Sequence, residues 1–522
     1  MLFNSLSFIL FFLPVALAGF YALAAWNSRW AAAWLVAVSF VFYSWWTASL
    51  VFLLAGSIAF NFLCGALILR ARPREALQSW LLSLGIGGDL LLIIYYKYFF
   101  GLLNWLGFHG LISLSHPYSV VMPLGISFFT FTQIGYLVDC KGGVVKTNRL
   151  LDYCLFVTFF PHLIAGPILH HREMMPQFAD PKTYRFRWEN LAVGTALFVI
   201  GLFKKVVIAD YFITFVSDAF NDTHGLPFFN AWDGALSYSL QLYFDFSGYS
   251  DMAIGLAILF GLRFPANFNS PYRAANIIDY WQRFHMTLTR YITLYLYNPV
   301  ALWISRRRMA QGKNVSRKAI STPEGFFSLI AFPTFFSLIL AGIWHGAGLT
   351  FVVFGLLHAF YLTINHAWRS FGPRVPETPP HPVLRITTTV GKVGLTYLAV
   401  VVAQVFFRAS SVRDAIRFLK GMTGAYGFSG HAAEAWTPGF INPHLILLHG
   451  FVLAGLYMVV WTMPNSLQLL DKYKPTLTEI RLNSPILFEC KPTVVWAVVL
   501  GLVSAVALLE ITGMTEFIYF RF

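Results

Sequence analysis

His345 lies in Ile-Trp-His-Gly (343–346), between two stretches, 326–344 and 347–365, that carry no charged side chain. An ionisable group at membrane depth is costly and marks a functional site by default. Burial disfavours the imidazolium cation, and the neutral ring is a general base. Gly346 permits close backbone approach and Trp344 supplies bulk beside the ring. The competing reading is a structural histidine hydrogen-bonded across helices. His285, in Trp-Gln-Arg-Phe-His (281–285), is the second candidate. It reads equally as a second base, as a substrate-binding donor, or as a histidine that holds its region together.

The other polar groups point less directly to chemistry. Asp245 and Asp251 are six residues apart, so on a helix they do not face each other, and ion pairing with Arg273 or Arg290 is the simpler expectation. Ser247 and Ser250 form no Gly-x-Ser-x-Gly elbow, which argues against a nucleophilic serine. Pro161 and His162 lie where a helix must kink or break, as a cavity wall would require. His170, His171, His358 and His366 read as ordinary polar residues near membrane edges. The pair His170–His171 lacks further ligands, so no metal is expected. The four cysteines (Cys64, Cys140, Cys154, Cys490) have no metal or redox spacing and read as packing residues.

The elements that carry these groups must be membrane helices. Of the 522 residues, 57% are hydrophobic and 11% charged, against about 25% charged in a soluble protein. Apolar runs of about 20 residues recur and predict an all-α, polytopic integral membrane protein with about 11 to 13 membrane segments. They fall near 7–25, 31–49, 50–69, 79–96, 119–138, 150–169, 191–212, 233–262, 326–344, 347–365, 388–407, 443–463 and 493–513. The stretch 233–262 is too long and too polar for one simple span. No polar stretch is long enough for a soluble core, so 1–522 reads as a single membrane-embedded domain. The Pro-rich 373–382 reads as a connector, and no cleavable signal peptide is expected.

The formal net charge is 37 − 23 = +14. In this chain the cations serve topology and not nucleic-acid binding. Arg70, Arg72 and Arg74 form one cluster, and Arg306, Arg307, Arg308, Lys313, Arg317 and Lys318 another. The positive-inside rule places both in the cytoplasm and both termini outside. The basic segment 408–420 then falls on the wrong side, unless it is an amphipathic helix lying in the interface.

The middle of the chain, about 240–300, mixes aromatic with polar residues, among them Gln241, Asn267, Asn276, Asp279 and Arg283. Such a stretch cannot face lipid. It is expected to be re-entrant or surface-lying and to build a funnel, with an interfacial aromatic belt from Trp281 to Tyr297.

Five blocks then carry a resemblance. They are Pro-Leu-Gly-Ile-Ser-Phe-Phe-Thr-Phe (123–131), Phe-Phe-Pro-His-Leu-Ile-Ala-Gly-Pro-Ile (159–168), Gln-Leu-Tyr-Phe-Asp-Phe-Ser-Gly-Tyr-Ser-Asp-Met-Ala-Ile-Gly (241–255), Trp-Gln-Arg-Phe-His-Met-Thr-Leu-Thr (281–289) and Gly-Ile-Trp-His-Gly-Ala (342–347). The closing Phe-Ile-Tyr-Phe-Arg-Phe (517–522) also fits. In this order they resemble the membrane-bound O-acyltransferases, in the branch of the alginate O-acetylation protein. The resemblance implies helices around a funnel or tunnel through the membrane, with His345 as the family's invariant histidine and His285 as its second. Asp245, Ser247, Asn269, Trp281, Arg290, Tyr297 and Trp344 are expected to line the funnel or touch substrate, and Asn269 or Tyr297 to polarise the carbonyl. Gln282 and Phe284 replace the more usual Arg and Trp, and an acid near Leu294 is lost. These departures leave the acceptor and partner open.

The implied activity is O-acyl transfer, acetyl before longer groups, in a bacterial inner membrane. The donor would be acetyl-coenzyme A or an acyl-carrier thioester, and the acceptor an exported polysaccharide such as alginate. An esterase-like (SGNH) periplasmic acetyltransferase is the expected partner, besides membrane lipids and no nucleic acid. The basic loop 306–318 could attract the donor's phosphates or an acidic carrier, or could serve topology alone. The competing class is a transporter or flippase without acyl-transfer chemistry. A polyprenol-phosphate glycosyltransferase would need acidic residues in the first outer loop, and residues 26–30 offer none.

Overall fold

Helices dominate because the sequence leaves the backbone little choice: in lipid, every N–H and C=O must be satisfied within its own segment. The computed structural model describes all residues except 109–117, 119, 223, 374–380, 429–442, 479, 481–489 and 512–522. The closing 517–522 block and most of the 373–382 connector therefore lie outside the described residues. Among the described residues the only β pairing is an isolated parallel bridge between Phe264 and Thr476.

Among the described residues, seven helices are long and apolar enough to cross a membrane: Phe8–Trp26, Leu50–Arg70, Glu75–Asn104, Trp188–Asn221, Pro323–His345, Leu349–Phe371 and Val383–Arg408. Two shorter apolar helices, Leu448–Thr462 and Val494–Glu510, match two further expected segments. The remaining apolar runs resolve differently. The run at 31–49 becomes the 17-residue helix Ser28–Ser44. The run at 119–138 contains the helix Ile126–Lys141, which starts after Gly125 adopts the left-handed backbone. The run at 150–169 breaks: Leu150–Thr158 ends at Phe159, and Pro161 opens a single turn, Phe160–Leu163. His162, just past that break, has Nε2 2.9 Å from the Phe156 carbonyl oxygen and closes the kink.

The stretch 233–262 is one continuous 32-residue helix, Phe228–Leu259. At 1.5 Å per residue it is about 48 Å long, well beyond the roughly 30 Å of a bilayer core. Every residue from Ser237 to Phe260 is buried. That burial is why its polar residues are tolerated at all, and why its composition does not look like a lipid-facing span. The polar middle of the chain thus divides. Up to Leu259 it is helix, 260–276 is irregular apart from the turn Pro271–Arg273, and short helices follow at Ile277–Trp281, Met286–Ile292 and Asn298–Ala310.

The helices form two compact units. One comprises Met1–Val207, Ser247–Ala266 and Ser466–Arg521; the other comprises Ile208–Phe246 and Asn267–Asn465. The first unit is built on the hairpin Leu13–Trp26 and Ser28–Ser44 and on helices Leu50–Arg70, Glu75–Ile93 and Ile126–Lys141, with Trp188–Phe203 against Val494–Glu510. An aromatic core of Phe3, Phe8, Phe42 and Phe160 fills it, with Phe42 and Phe160 rings 5.3 Å apart.

The second unit is organised around the antiparallel pair Phe332–His345 and Leu349–Phe371. Gly342 and Gly355 let their backbones touch: a side chain at either would collide with main-chain atoms of the other helix. Small residues at such crossings bring membrane helices into close van der Waals contact. The expected amphipathic segment is the helix Val412–Met422. Ala415, Phe418, Gly421 and Met422 face inward while Arg413 and Lys420 are exposed. Phe418 stacks on Phe220 at 4.4 Å.

Candidate active site

His345 is the last residue of the helix Phe332–His345, and Gly346 turns the chain into the next helix with extended backbone. A side chain at Gly346 would collide with the Phe351 ring, so this glycine is required for the approach. The imidazole is 7% exposed. Aromatic rings surround it edge-on: Trp344 at 4.6 Å, Phe407 at 5.0 Å and Phe354 at 6.0 Å. This packing surrounds the imidazole with apolar rings.

Phe354 also contacts a histidine that composition gave no reason to single out. Its ring is 4.6 Å from that of His358, one helical turn on. His358 is no membrane-edge residue; it is 2% exposed. Its Nδ1 accepts from the indole Nε1 of Trp281 at 3.2 Å, and Tyr280 stacks parallel to it at 6.2 Å. The contact joins the 281–289 block to the helix that follows His345. The available sequence signal was its position, in the same uncharged stretch and thirteen residues after His345.

The Tyr280 ring continues the aromatic line to Phe284 at 5.4 Å, and Phe284 meets Phe246 at 6.4 Å. Phe246 stands edge-on to His285 at 4.6 Å. The two candidate histidines are therefore ends of one continuous run of rings within the second unit. Phe284, a departure from the family block, is a link in that run.

Polar contacts hold His285 in place. It is 3% exposed and occupies left-handed backbone at φ 47°. Its Nδ1 is 3.0 Å from Asn267 Oδ1, which also accepts from Thr287 Oγ1 at 2.8 Å and from the Thr287 N–H at 3.4 Å. Two backbone bonds clamp the loop: Met286 N–H to Asn267 O and Asn269 N–H to Arg283 O, both 2.9 Å.

The remaining expected site residues divide. Asp245, Asn269, Trp281, Arg290, Tyr297 and Trp344 share the second unit with both histidines, whereas Ser247 belongs to the first. Asp245 and Ser247 are each 1% exposed, and Trp344 is buried beside His345. Asn269 is half-buried, and its Oδ1 accepts from Asn465 at 3.1 Å. Tyr297 is half-buried and bonds Thr334. Arg290 is half-buried on Met286–Ile292.

Asp251 corrects one expectation. It pairs with Lys204 at 2.8 Å and accepts from Ser466 Oγ at 2.5 Å, all within the first unit. Arg273 instead donates to the backbone carbonyls of Val460 and Met463. Its cation caps the end of the helix Pro443–Thr462, where exposed carbonyls attract positive charge. Among the described residues no group of three His, Cys, Asp or Glu side chains could hold a metal.

The basic loop is also built into structure. Arg308 is 8% exposed; it donates to Ser328 Oγ at 2.8 Å and approaches Glu324 at 3.4 Å. Lys313 binds Glu324 at 2.6 Å, and Arg307 lies 5.7 Å over the Trp303 ring. Together these residues line a cavity of about 260 Å³.

Fold and site together define a multi-pass helical membrane protein with buried imidazoles joined by aromatic packing. Residues 141–313 match the membrane-bound O-acyltransferase (MBOAT) family. The peptidoglycan O-acetyltransferase of Helicobacter pylori is 38% identical over 463 residues, 82% of this chain and 81% of that protein. The probable alginate O-acetylase AlgI of Pseudomonas aeruginosa is 36% identical over 434 residues, 81% of this chain and 75% of its own. The teichoic acid D-alanyltransferase of Bacillus subtilis is 29% identical over 265 residues, half of this chain and 64% of its own. The chain belongs to the membrane-bound O-acyltransferase family, and it is an O-acyltransferase that uses an acyl donor.

Proposed function

We propose that the whole chain, 1–522, works as a single acyltransferase domain in a bacterial inner membrane, and that it O-acetylates an exported polysaccharide. Relatives at 36–38% identity are named for O-acetylation of peptidoglycan and alginate, and this favours acetyl over the D-alanyl group of the more distant relatives. The donor is acetyl-coenzyme A or an acyl-carrier thioester from the cytoplasm. The acceptor is a polymer hydroxyl, or a hydroxyl on a periplasmic, esterase-like transferase that passes the group on.

His345 is the general base in this reading. It takes the proton from the acceptor hydroxyl as the oxygen attacks the thioester carbonyl; the C–S bond then breaks, and the thiolate leaves with that proton. Such a group contributes about 10²- to 10⁴-fold. Trp344, Phe354 and Phe407 keep bulk water from the ring, which protects the thioester from hydrolysis. His285 is the second functional imidazole. Asp245, Ser247, Asn269, Trp281, Arg290 and Tyr297 are the residues assigned to the substrate path, with Asn269 or Tyr297 as the group that polarises the carbonyl. The loops at Arg70–Arg74 and 306–318 face the cytoplasm, and the cavity beside Arg307, Arg308 and Lys313 receives the acidic part of the donor.

The observation that carries the reading is the buried imidazole of His345 at a helix end, enclosed by aromatic rings in the unit that also holds His285. The test is His345→Ala in producing cells. Polymer-bound acetyl is expected to disappear while the protein still accumulates in the membrane. Normal acetylation at normal protein level would remove His345 from the chemistry.

A further inference from the structure

We propose that Asn267 is a positioning residue: it fixes the tautomer of His285 and makes Nε2 the hydrogen-bond-accepting nitrogen of that ring. The proposal rests on the reading that His285 takes part in the transfer.

The argument starts at the Thr287 backbone. Its N–H can only donate, and it points to Asn267 Oδ1. That bond sets the orientation of the amide, because a flipped Asn267 would present its NH₂ to another donor. The atom facing His285 Nδ1 at 3.0 Å is therefore an acceptor. An acceptor requires a donor opposite, so the proton sits on Nδ1. In the neutral ring the lone pair is then on Nε2. Among the described residues nothing hydrogen-bonds Nε2, although the side chain is buried.

The surrounding construction is consistent with a ring placed for use. Asn267 is fully buried, and its backbone oxygen receives the Met286 N–H, so one residue holds His285 both through the ring and through the adjoining main chain. The left-handed backbone of His285 is a conformation that residues with a Cβ rarely adopt, and it persists only where neighbours over-determine it. Phe246, edge-on at 4.6 Å, closes one side of the ring without offering a hydrogen bond.

This assignment narrows the roles that the sequence left open. A neutral His285 with Nδ1–H committed to Asn267 has no proton at Nε2 to donate to a carbonyl. It can only accept: Nε2 takes a hydrogen bond from a substrate hydroxyl and holds it in place, while the proton lost in the transfer goes to His345; a protonated His285 would lose this acceptor.

The test compares full-length variants in membranes from producing cells, with labelled acetyl-coenzyme A as the probe and label in polymer as the readout across pH. Asn267→Asp keeps an acceptor for both Nδ1–H and Thr287 but adds a negative charge beside the ring. An opposite charge at this range raises an imidazole pKa by about one unit or more, so the acid limb of the profile is expected to move up by that amount, with activity retained above it. Asn267→Leu removes the acceptor and is expected to lower the rate roughly 100-fold or more at unchanged protein level. The charged side chains on neighbouring elements are Asp245 on the long helix, Asp279 and Arg283, which bind each other at 2.7 Å, and Arg290 on Met286–Ile292. None of them changes in either variant, so a moved limb reports the new carboxylate.

If Asn267 merely holds the loop, the acid limb of Asn267→Asp stays where it is, and that result overturns the proposal, as does an Asn267→Leu rate within about threefold of the parent. If Asn267→Leu fails to accumulate, the Asn267→Asp profile decides alone. His285→Ala separates the two levels: full activity there overturns the reading that His285 participates, whereas an inactive His285→Ala with an unmoved Asn267→Asp limb overturns only the role of Asn267.

Discussion

The indole Nε1 of Trp281 donates to Nδ1 of His358 at 3.2 Å. Indole N–H is a donor only, so His358 carries its own proton on Nε2, the opposite tautomer to that assigned to His285. Replacing Trp281 by Phe keeps an aromatic ring but leaves a buried acceptor without its donor. An unsatisfied buried polar group costs about 1–3 kcal/mol, more than the bond itself contributes. Trp281→Phe is therefore expected to lower the thermal midpoint of the solubilised protein. Adding His358→Leu should restore part of the loss, because removing both partners is nearly neutral. A double variant as unstable as the sum of the singles would show that the bond is not what joins these two elements.

The histidines differ in how far the sequence exposed them. His345 was legible because nothing charged lies within nineteen residues on either side, and His285 because its block is specific. His358 was not, because its partner is 77 residues away and a histidine inside an apolar helix looks the same whether it faces a membrane edge or a tryptophan. The long middle helix was hard to read for a related reason. Hydropathy reports how apolar a stretch is and not what it packs against, so the wholly buried Ser237–Phe260 read as part of a stretch too long and too polar for one simple span. Breaks were easier, since Pro161 acts locally through its missing N–H.

Asp251 shows the same limit for charge. The nearby arginines in sequence were the obvious partners, but Lys204, 47 residues earlier, is the actual one. The pair is buried, with side chains 11% and 5% exposed. Removing one member of such a pair strands the other charge and costs about 3–5 kcal/mol, whereas replacing both by apolar residues is often neutral. Lys204→Met is expected to reduce membrane accumulation sharply. Lys204→Met with Asp251→Leu should recover most of it, read by quantitative immunoblot and thermal unfolding. No recovery in the double variant would mean that Ser466 or another neighbour depends on the Asp251 carboxylate itself.

His171 gives a pH dependence outside the membrane helices. It is half-buried against Tyr136 at 5.5 Å and Phe156 at 5.7 Å, and burial pushes its imidazole down to about 4 from the ordinary 6.5. The unfolded chain takes up this proton below about pH 6.5 and the folded chain does not until about pH 4. The contribution to stability is thus full above pH 6.5 and is lost progressively as pH falls toward 4. His171→Phe keeps the ring contacts and removes the proton site. Thermal melts at pH 7.5 and pH 5 should differ less in this variant than in the parent, and an equal difference would place the acid sensitivity elsewhere.

The basic loop distinguishes charge that serves topology from charge that serves binding. Arg308 is buried and tied to Ser328, so it holds the helix Asn298–Ala310 to the chain that leads into the His345 helix. Arg307 and Lys313 are more exposed and border the same cavity. If that cavity takes the acidic part of the donor, Arg307→Glu should raise the KM for the thioester several-fold with little change in kcat, and the difference should shrink as salt screens the attraction. Lys313→Glu carries a further penalty, because it sets a second carboxylate beside Glu324, which Lys313 binds at 2.6 Å. Arg308→Gln should instead lower the amount of folded protein. Kinetics of Arg307→Glu identical to the parent at low salt would leave these cations with orientation in the membrane as their whole task.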